Sequence, residues 1–462
     1  MSWRNFKTAS NWIVIIGLVV VIVSIANQSK QKTLPENTKR PESWTVYDPD
    51  PNHIWNRLHR ALYRRETGDG HEYGYDELDP LLWVTTKYLL HDPANRQALA
   101  VLDEFLSTHG ETAIKDPLKR AMLQRDLWAV FDWTTDCVEC LQPSQSAAKL
   151  NLQRKLVQAI KRLALSPEQI AALPNTYKQA IDAGAFGKAY DSDKREQSFL
   201  PPDLFDPKGE WVALSIRGGD VVAPGHVGAF SGRSVFLIFM RLPGDRTATL
   251  DYLKTLAAFR NPWLLDPETQ RPIANPNLPQ FPPGTQLALV RRMVVIDANG
   301  ELRPTNIVED MQIRVHRAIP TFNPQHLNMD RSDARTALDV YEFKLTRRKL
   351  FAGEDGGLHS LTKTDTEFPL FRSHDIDLFE KNLVPFDRML RVSLEACASC
   401  HFAPGVYSIL SRGRREAVAS PENSELLPSW EANYEAEGAK AWKHRQFNWG
   451  VLQGLWNSPP GQ

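Results

Sequence analysis

The sequence predicts an α+β multidomain chain, and three patterns carry that prediction. An uncharged apolar run stands near the N-terminus. Apolar residues then recur at three- and four-residue spacing, as one buried helix face requires, and after about residue 200 they alternate or run on between turn residues, as strands do. At 462 residues the chain exceeds what one ordinary core absorbs. The patterns divide it into a signal anchor or signal peptide (1–26), a polar tether (27–50), a helical domain (51–185), a β-rich domain (186–352) and a C-terminal helical segment (353–462). Lys plus Arg and Asp plus Glu both number 55, with no block of one sign, so nothing points to nucleic acid as a partner.

The N-terminal run sets the compartment. Arg4 and Lys7 precede "NWIVIIGLVVVIVSIA", which is uncharged from Trp12 to Ala26. A run of this length with basic residues before it exports the chain, either as a single membrane-spanning anchor with the bulk of the protein on the periplasmic or outer side, or as a signal peptide. Ser24-Ile25-Ala26 supplies the small residues a signal peptidase wants, so the alternative is a secreted or periplasmic protein cut near Ala26. Pro35, Pro41, Pro49 and Pro51 mark the tether.

Helices are predicted in "HIWNRLHRALYRRE", "ELDPLLWVTTKYLL", "NRQALAVLDEFLSTHG", "IKDPLKRAMLQRDLWAVFDWTTD", "SAAKLNLQRKLVQAIKRLAL" and "SPEQIAALPNTYKQAIDAG". The last opens with Ser166 as cap and Pro167 in the first turn. Strands are predicted in "EWVALSIRGG", "SVFLIFMRLPGD", "TQLALVRRMVVIDANGELRP" and "MQIRVHRA", with a tight hairpin at Asn299-Gly300 and one helix, "TATLDYLKTLAAF", between them, and "LDVYEFKLTRRKLF" completes this unit near residue 352. The proline-rich "NPWLLDPETQRPIANPNLPQFPPG" reads as an extended connection without regular structure. Toward the C-terminus, "PFDRMLRVSLEACASC" reads as a helix with Phe386, Met389, Leu390, Leu394 and Cys397 on one stripe. "SWEANYEAEGAKAWKHRQFNWGVLQGLW" reads as one long helix capped by Ser429.

Chemistry concentrates in "EACASCHFAPG". Cys397-Ala398-Ser399-Cys400-His401 fits C-x-x-C-H. Cysteines three apart on a helical turn face one way, so each sulfur can bond one of the two vinyl groups on a haem edge, and the next histidine meets the iron. Such attachment happens outside the cytoplasmic membrane, where the N-terminal run sends the chain. The other readings of the motif are a disulfide between the two cysteines and, less simply, zinc held by both cysteine pairs of the chain. Cys137-Val138-Glu139-Cys140 has no histidine after it and reads as a structural disulfide, with a second haem as its alternative.

On these residues the chain resembles c-type cytochromes, over the motif and its flanks. The resemblance implies haem c as cofactor, held by Cys397 and Cys400, with His401 as the proximal iron ligand. Small cytochromes take a downstream methionine as the sixth ligand, but none follows Met389 here. A helix from Met389 to His401 would separate the two by roughly 18 Å, which removes Met389 as the opposite ligand. His444 is the one histidine after the motif, and His374 and His359 precede it, so these are the distal candidates. Arg412, Arg414 and Arg415 are candidates to neutralise haem propionates. The implied function is electron transfer with a redox partner protein, on the membrane through the N-terminal helix. An open iron face would instead suit a peroxidase-like oxidoreductase. A third reading, from another class, is a haem-free exported binding or structural protein with two CxxC disulfides. "RDLWAVFDW" and "SVFLIFMRLPGDRTATLDYLKTL" are similar to segments of large exported bacterial proteins, which implies bacterial origin and no chemistry. The glycines of "SIRGGDVVAPGHVGAFSGRSVF" match neither a dinucleotide nor a phosphate loop, and His226 within it has no assigned role.

Overall fold

A computed structural model of the chain describes residues 45–66, 72–76, 78–79, 88–136, 143–216, 221–265, 267–268, 272–321, 337–367, 391–392, 394, 404–410, 426–429 and 432–459. The apolar run from Trp12 to Ala26 lies outside them. Among the described residues no helix is long and apolar enough to cross a membrane.

The tether does not reach residue 50 as free chain. Tyr47 is buried, its N–H donates to Asn56 Oδ1 and its carbonyl accepts Lys119 Nζ. Residues 45–50, the described end of that stretch, are thus held by one aromatic residue that the composition obscures. Helix α1 (Ile54–Tyr63) follows, and a small hairpin pairs β1 (Arg65–Glu66) with β2 (Glu72–Tyr73). Helices α2 (Ala94–Ser107), α3 (Pro117–Thr135) and α4 (Pro143–Leu163) come where their periodicity places them. Asp116 caps α3 by accepting the N–H groups of Leu118 and Lys119, with Pro117 in the first turn. "SPEQIAALPNTYKQAIDAG" forms two helices, α5 (Pro167–Ala171) and α6 (Thr176–Ala183). Pro174 cannot continue the first, and Asn175 caps the second. Ser166 and Gln169 make the reciprocal capping box of α5.

The β-rich segment forms a seven-stranded antiparallel sheet. Its members are β3 (Val212–Ile216), β4 (Ser234–Arg241), β7 (Thr285–Ile296), β8 (Leu302–His316), β9 (Leu338–Leu345), β10 (Leu358–Ser360) and β13 (Leu426–Ser429), in the order β10-β9-β8-β7-β4-β3-β13. Helix α7 (Pro224–Ala229) lies between β3 and β4, α8 (Arg246–Ala258) follows β4, and α9 (Arg347–Ala352) follows β9. Asn299-Gly300 turns the β7–β8 hairpin, with Gly300 at φ 84°. Two expectations fail here. "MQIRVHRA" is the end of a fifteen-residue strand, whose charged Glu309 is buried and paired. The proline-rich connection contains a short pair, β5 (Trp263–Leu265) with β6 (Pro272–Ala274), in which proline takes the first strand position and costs little there.

The C-terminal segment departs most from the pattern. Strand β11 (Thr366–Glu367) pairs with β12 (Arg391–Val392), so the single helix read from Pro385 to Cys400 is interrupted at 391–392. After the motif come α10 (Val406–Leu410), β13, α11 (Ala432–His444) and α12 (Phe447–Asn457). Ser429 pairs in the sheet with Ala213 instead of capping a helix, and the long helix is two, because Gln446 takes extended angles (φ −82°, ψ 142°). The helical and β-rich segments share one apolar core running from Tyr47 to Trp456, within a compact unit of residues 41–462. Gln124 of α3 shows how closely they join: its amide donates to Ile160 and Ile296 carbonyls and accepts the Ile296 N–H.

Candidate functional site

Helix α3 is buried on every side, with Leu127, Trp128, Val130, Phe131 and Trp133 pointing around its circumference. From Ala121 to Thr135 its charged residues therefore have no wet face to occupy. Arg125, Asp126 and Asp132 are each at most 1% exposed, and a buried charge persists only when paired and hydrogen-bonded.

The pairing builds one ionic centre between α3, the sheet and α11. The Arg125 guanidinium pairs with both oxygens of Asp79 and lies 3.2 Å from Glu309 Oε1. Arg233 bridges Asp79 Oδ1 at 3.2 Å and Asp132 Oδ2 at 2.7 Å. Lys443 Nζ donates to Asp132 Oδ2 (2.8 Å), the Ser231 carbonyl (2.8 Å) and Asn448 Oδ1 (3.0 Å), and sits 5.1 Å from the centre of the Trp128 ring. Ser234 Oγ donates to Glu309 Oε2 at 2.5 Å. Arg291 stacks over Phe230 at 4.1 Å, 3.7 Å from Glu309 and 4.0 Å from Asp79. Burial alone would raise the Asp79 carboxyl, but Arg125, Arg233 and Arg291 outweigh it and hold that group well below the usual range. Burial lowers the Lys443 ammonium, with Asp132 opposing.

Three backbone irregularities converge on this centre. Asp79 and Ser231 adopt left-handed φ values of 49° and 50° without being glycine. Between β7 and β8 the register runs Arg291 with Asp310, then Arg292 with Val308, so Glu309 is the extra residue of a β-bulge. Such a bulge re-aims a side chain, and strained residues gather where a constellation is held against local preference.

A second cluster lies on another face of α3. Asp126 accepts the Tyr47 hydroxyl at 2.6 Å and pairs with Arg347, and His59 Nε2 lies 3.6 Å away. Burial raises the Asp126 carboxyl despite Arg347, and burial with Arg347 keeps His59 neutral. These clusters fix charges and join layers. Among the described residues no group of three His, Cys, Asp or Glu side chains is arranged to hold a metal ion.

Sequence reading missed both clusters, because it assigned α3 one buried face and gave Arg125, Asp126 and Asp132 no role. The signal was present: "RDLWAVFDW" puts bulky apolar residues on all sides of the helix.

Cys397, Cys400 and His401 lie outside the described residues, as do Cys137, Cys140, His374, Met389 and Arg412, Arg414 and Arg415. The chain leaving the motif is anchored. Gly405 turns at φ 59°, Gln280 accepts the Val406 N–H at 2.6 Å, and the Tyr407 hydroxyl donates to the Pro276 carbonyl at 3.0 Å. His444 is exposed in the last turn of α11, its ring stacked on Trp449 at 5.6 Å. His359 is in β10, with Nε2 3.9 Å from Asp365. His226 is on α7, tilted over Phe236. Among known protein families, curated proteins and solved structures, none matches the chain.

Proposed function

We propose that the protein is an exported, membrane-anchored c-type cytochrome that carries electrons through one covalently attached haem. The observation that carries this reading is the pentapeptide Cys397-Ala398-Ser399-Cys400-His401. Its donor set, two thiols and an imidazole at attachment spacing, suits thioether bonding and axial ligation. It stands in a chain whose N-terminus reads as an export signal. Cys397 and Cys400 would hold the porphyrin and His401 would be the proximal ligand; the bound haem would supply a one-electron couple. His444 is the distal candidate that the described residues contain after the motif. Its ring is exposed and tied by stacking to Trp449, so it would have to leave that ring to ligate.

Expression in a host competent for haem attachment tests the reading. The denatured protein should retain haem stain and exceed the polypeptide mass by one haem, and C397S/C400S should lose both. A mass equal to the bare chain would remove the redox reading and leave an exported protein with disulfides. A reduced spectrum unmoved by carbon monoxide marks a six-coordinate carrier, whereas a shift marks the open face of a peroxidase-like site.

A further inference from the structure

Helix α11 holds the segment from Val222 to Ser231 at both ends. Glu435, in its first turn, accepts the Val222 N–H on Oε2 at 3.0 Å. Lys443, in its last turn, donates to the Ser231 carbonyl at 2.8 Å. Eight residues separate the two, about 12 Å of helix rise, and they lie on roughly the same side of the helix. Between the grips the chain forms α7 and presents Phe230, whose ring covers the Arg291 guanidinium at the edge of the ionic centre.

The grips differ in kind. Lys443 uses all three donors, on Asp132, Ser231 and Asn448. Glu435 is 3% exposed and its Oε1 has no hydrogen-bond partner. The buried carboxylates of Asp79, Asp126, Asp132, Asp297, Glu309 and Asp339 each lie within ion-pair distance of a cation; among the described residues Glu435 has none. Its surroundings explain this. Val221, Val222 and Ala223 are apolar and buried. Strand β3 and helix α12, which pack on α11, contain no titratable residue, and the one charged residue of β4, Arg241, pairs with Glu210. On α11 itself Glu437 pairs with Lys440, and Lys443 is committed to Asp132. In the clasped segment and just after it, His226 lies over Phe236 and Arg233 belongs to the ionic centre.

We propose that α11 is a two-handed clasp on residues 222–231 in which the Glu435 hand is worked by a proton, closed with the carboxyl neutral and loosened once it ionises, while Lys443 holds the other end. A neutral carboxyl keeps its carbonyl for the Val222 N–H and adds no charge to an apolar site. An ionised one makes a stronger single bond but finds no cation among the described residues, and water competes for it. The balance favours the proton: burial pushes the Glu435 carboxyl up to about 7, against the lowering effect of the Val222 bond. In an opened segment it would return to the ordinary range near 4.5. Opening therefore gains up to about tenfold per pH unit between those two values and levels off above the higher. The structure that responds is the Phe230 cover over Arg291.

Hydrogen exchange on the full chain tests this. Protection of amides 222–230, corrected for intrinsic exchange at each pH, should fall steadily from pH 5 to 7 and flatten above 7, while amides of β7 and β8 stay constant. E435Q should hold the segment at its low-pH protection throughout, and H226Q should respond like the parent. A flat parent profile overturns the proposal without recourse to any variant. So does a fall that persists in E435Q, or one abolished by H226Q.

Discussion

Lys443 is fully buried and satisfies three acceptors on three different parts of the chain: Asp132 of α3, Ser231 before β4 and Asn448 of α12. K443M removes that cation and leaves the Asp132 carboxylate with Arg233 alone, plus a carbonyl and an amide oxygen without their donor. Breaking a buried ion pair in this way costs about 3–5 kcal/mol. Urea unfolding at constant m should show it as a lowered midpoint, and a loss under about 1 kcal/mol would mean that Asp132 is satisfied without it. Glu435 gives the opposite outcome. Its folded-state value, about 7, lies above the ordinary carboxyl value of 4.5, so the native state binds the extra proton and stability falls as pH rises between the two. E435Q should match the parent near pH 4 and exceed it increasingly up to pH 7, with a constant margin beyond. Equal stabilities at pH 8 would mean that the carboxyl is not desolvated. Neither residue was legible in the sequence: Lys443 lies between Trp442 and His444 and Glu435 between Tyr434 and Ala436, and nothing local marks either as buried.

Element by element, the sequence was most readable where local chemistry is decisive. Ser166 with Gln169 states a helix start in four residues, and the capping box is there. S166A should cost about 1 kcal/mol, read as a lowered thermal midpoint. Asn299-Gly300 likewise states a hairpin, yet the turn does more than connect strands. Gly300 adopts φ 84°, and a Cβ there would come 3.0 Å from Trp456 Nε1 on α12. G300A should therefore lose more than the roughly 1 kcal/mol of a strained turn, because the C-terminal helix must shift as well. An unchanged thermal midpoint would count against that packing. Elements decided by distant partners were not readable. Arg391–Val392 forms a strand because Thr366–Glu367 lies beside it, and Ser429 pairs because β3 would otherwise end the sheet. In β8, Glu309 reads as a surface charge until Arg125 and Ser234 are placed against it.

At the scale of the whole molecule, sequence pattern separated a helical from a β-rich stretch correctly in content, since the fold is mixed α and β. It gave no hint that the two share one core, because shared burial is a property of facing surfaces and not of either strip alone. The C-x-x-C-H pentapeptide has the opposite character. It is fully legible as five adjacent residues, since covalent chemistry needs a fixed local spacing, and the described fold adds only how the chain leaves it, through Gly405 and Val406 onto Gln280. The C397S/C400S comparison belongs at this scale, because it asks what the chain carries and not how it folds.

Strand β13 lies at one rim of the sheet and β10 at the other, so the stretch of chain bearing the motif begins and ends on opposite sides of seven strands, about 29 Å apart at ordinary strand spacing. A polypeptide stopped at residue 425 would lose β13 and bare the backbone donors and acceptors of β3, an open template for a second copy. Such a truncate should form more oligomer by light scattering than the intact protein, because the longer β3 replaces the four-residue, proline-bearing β13 as the rim.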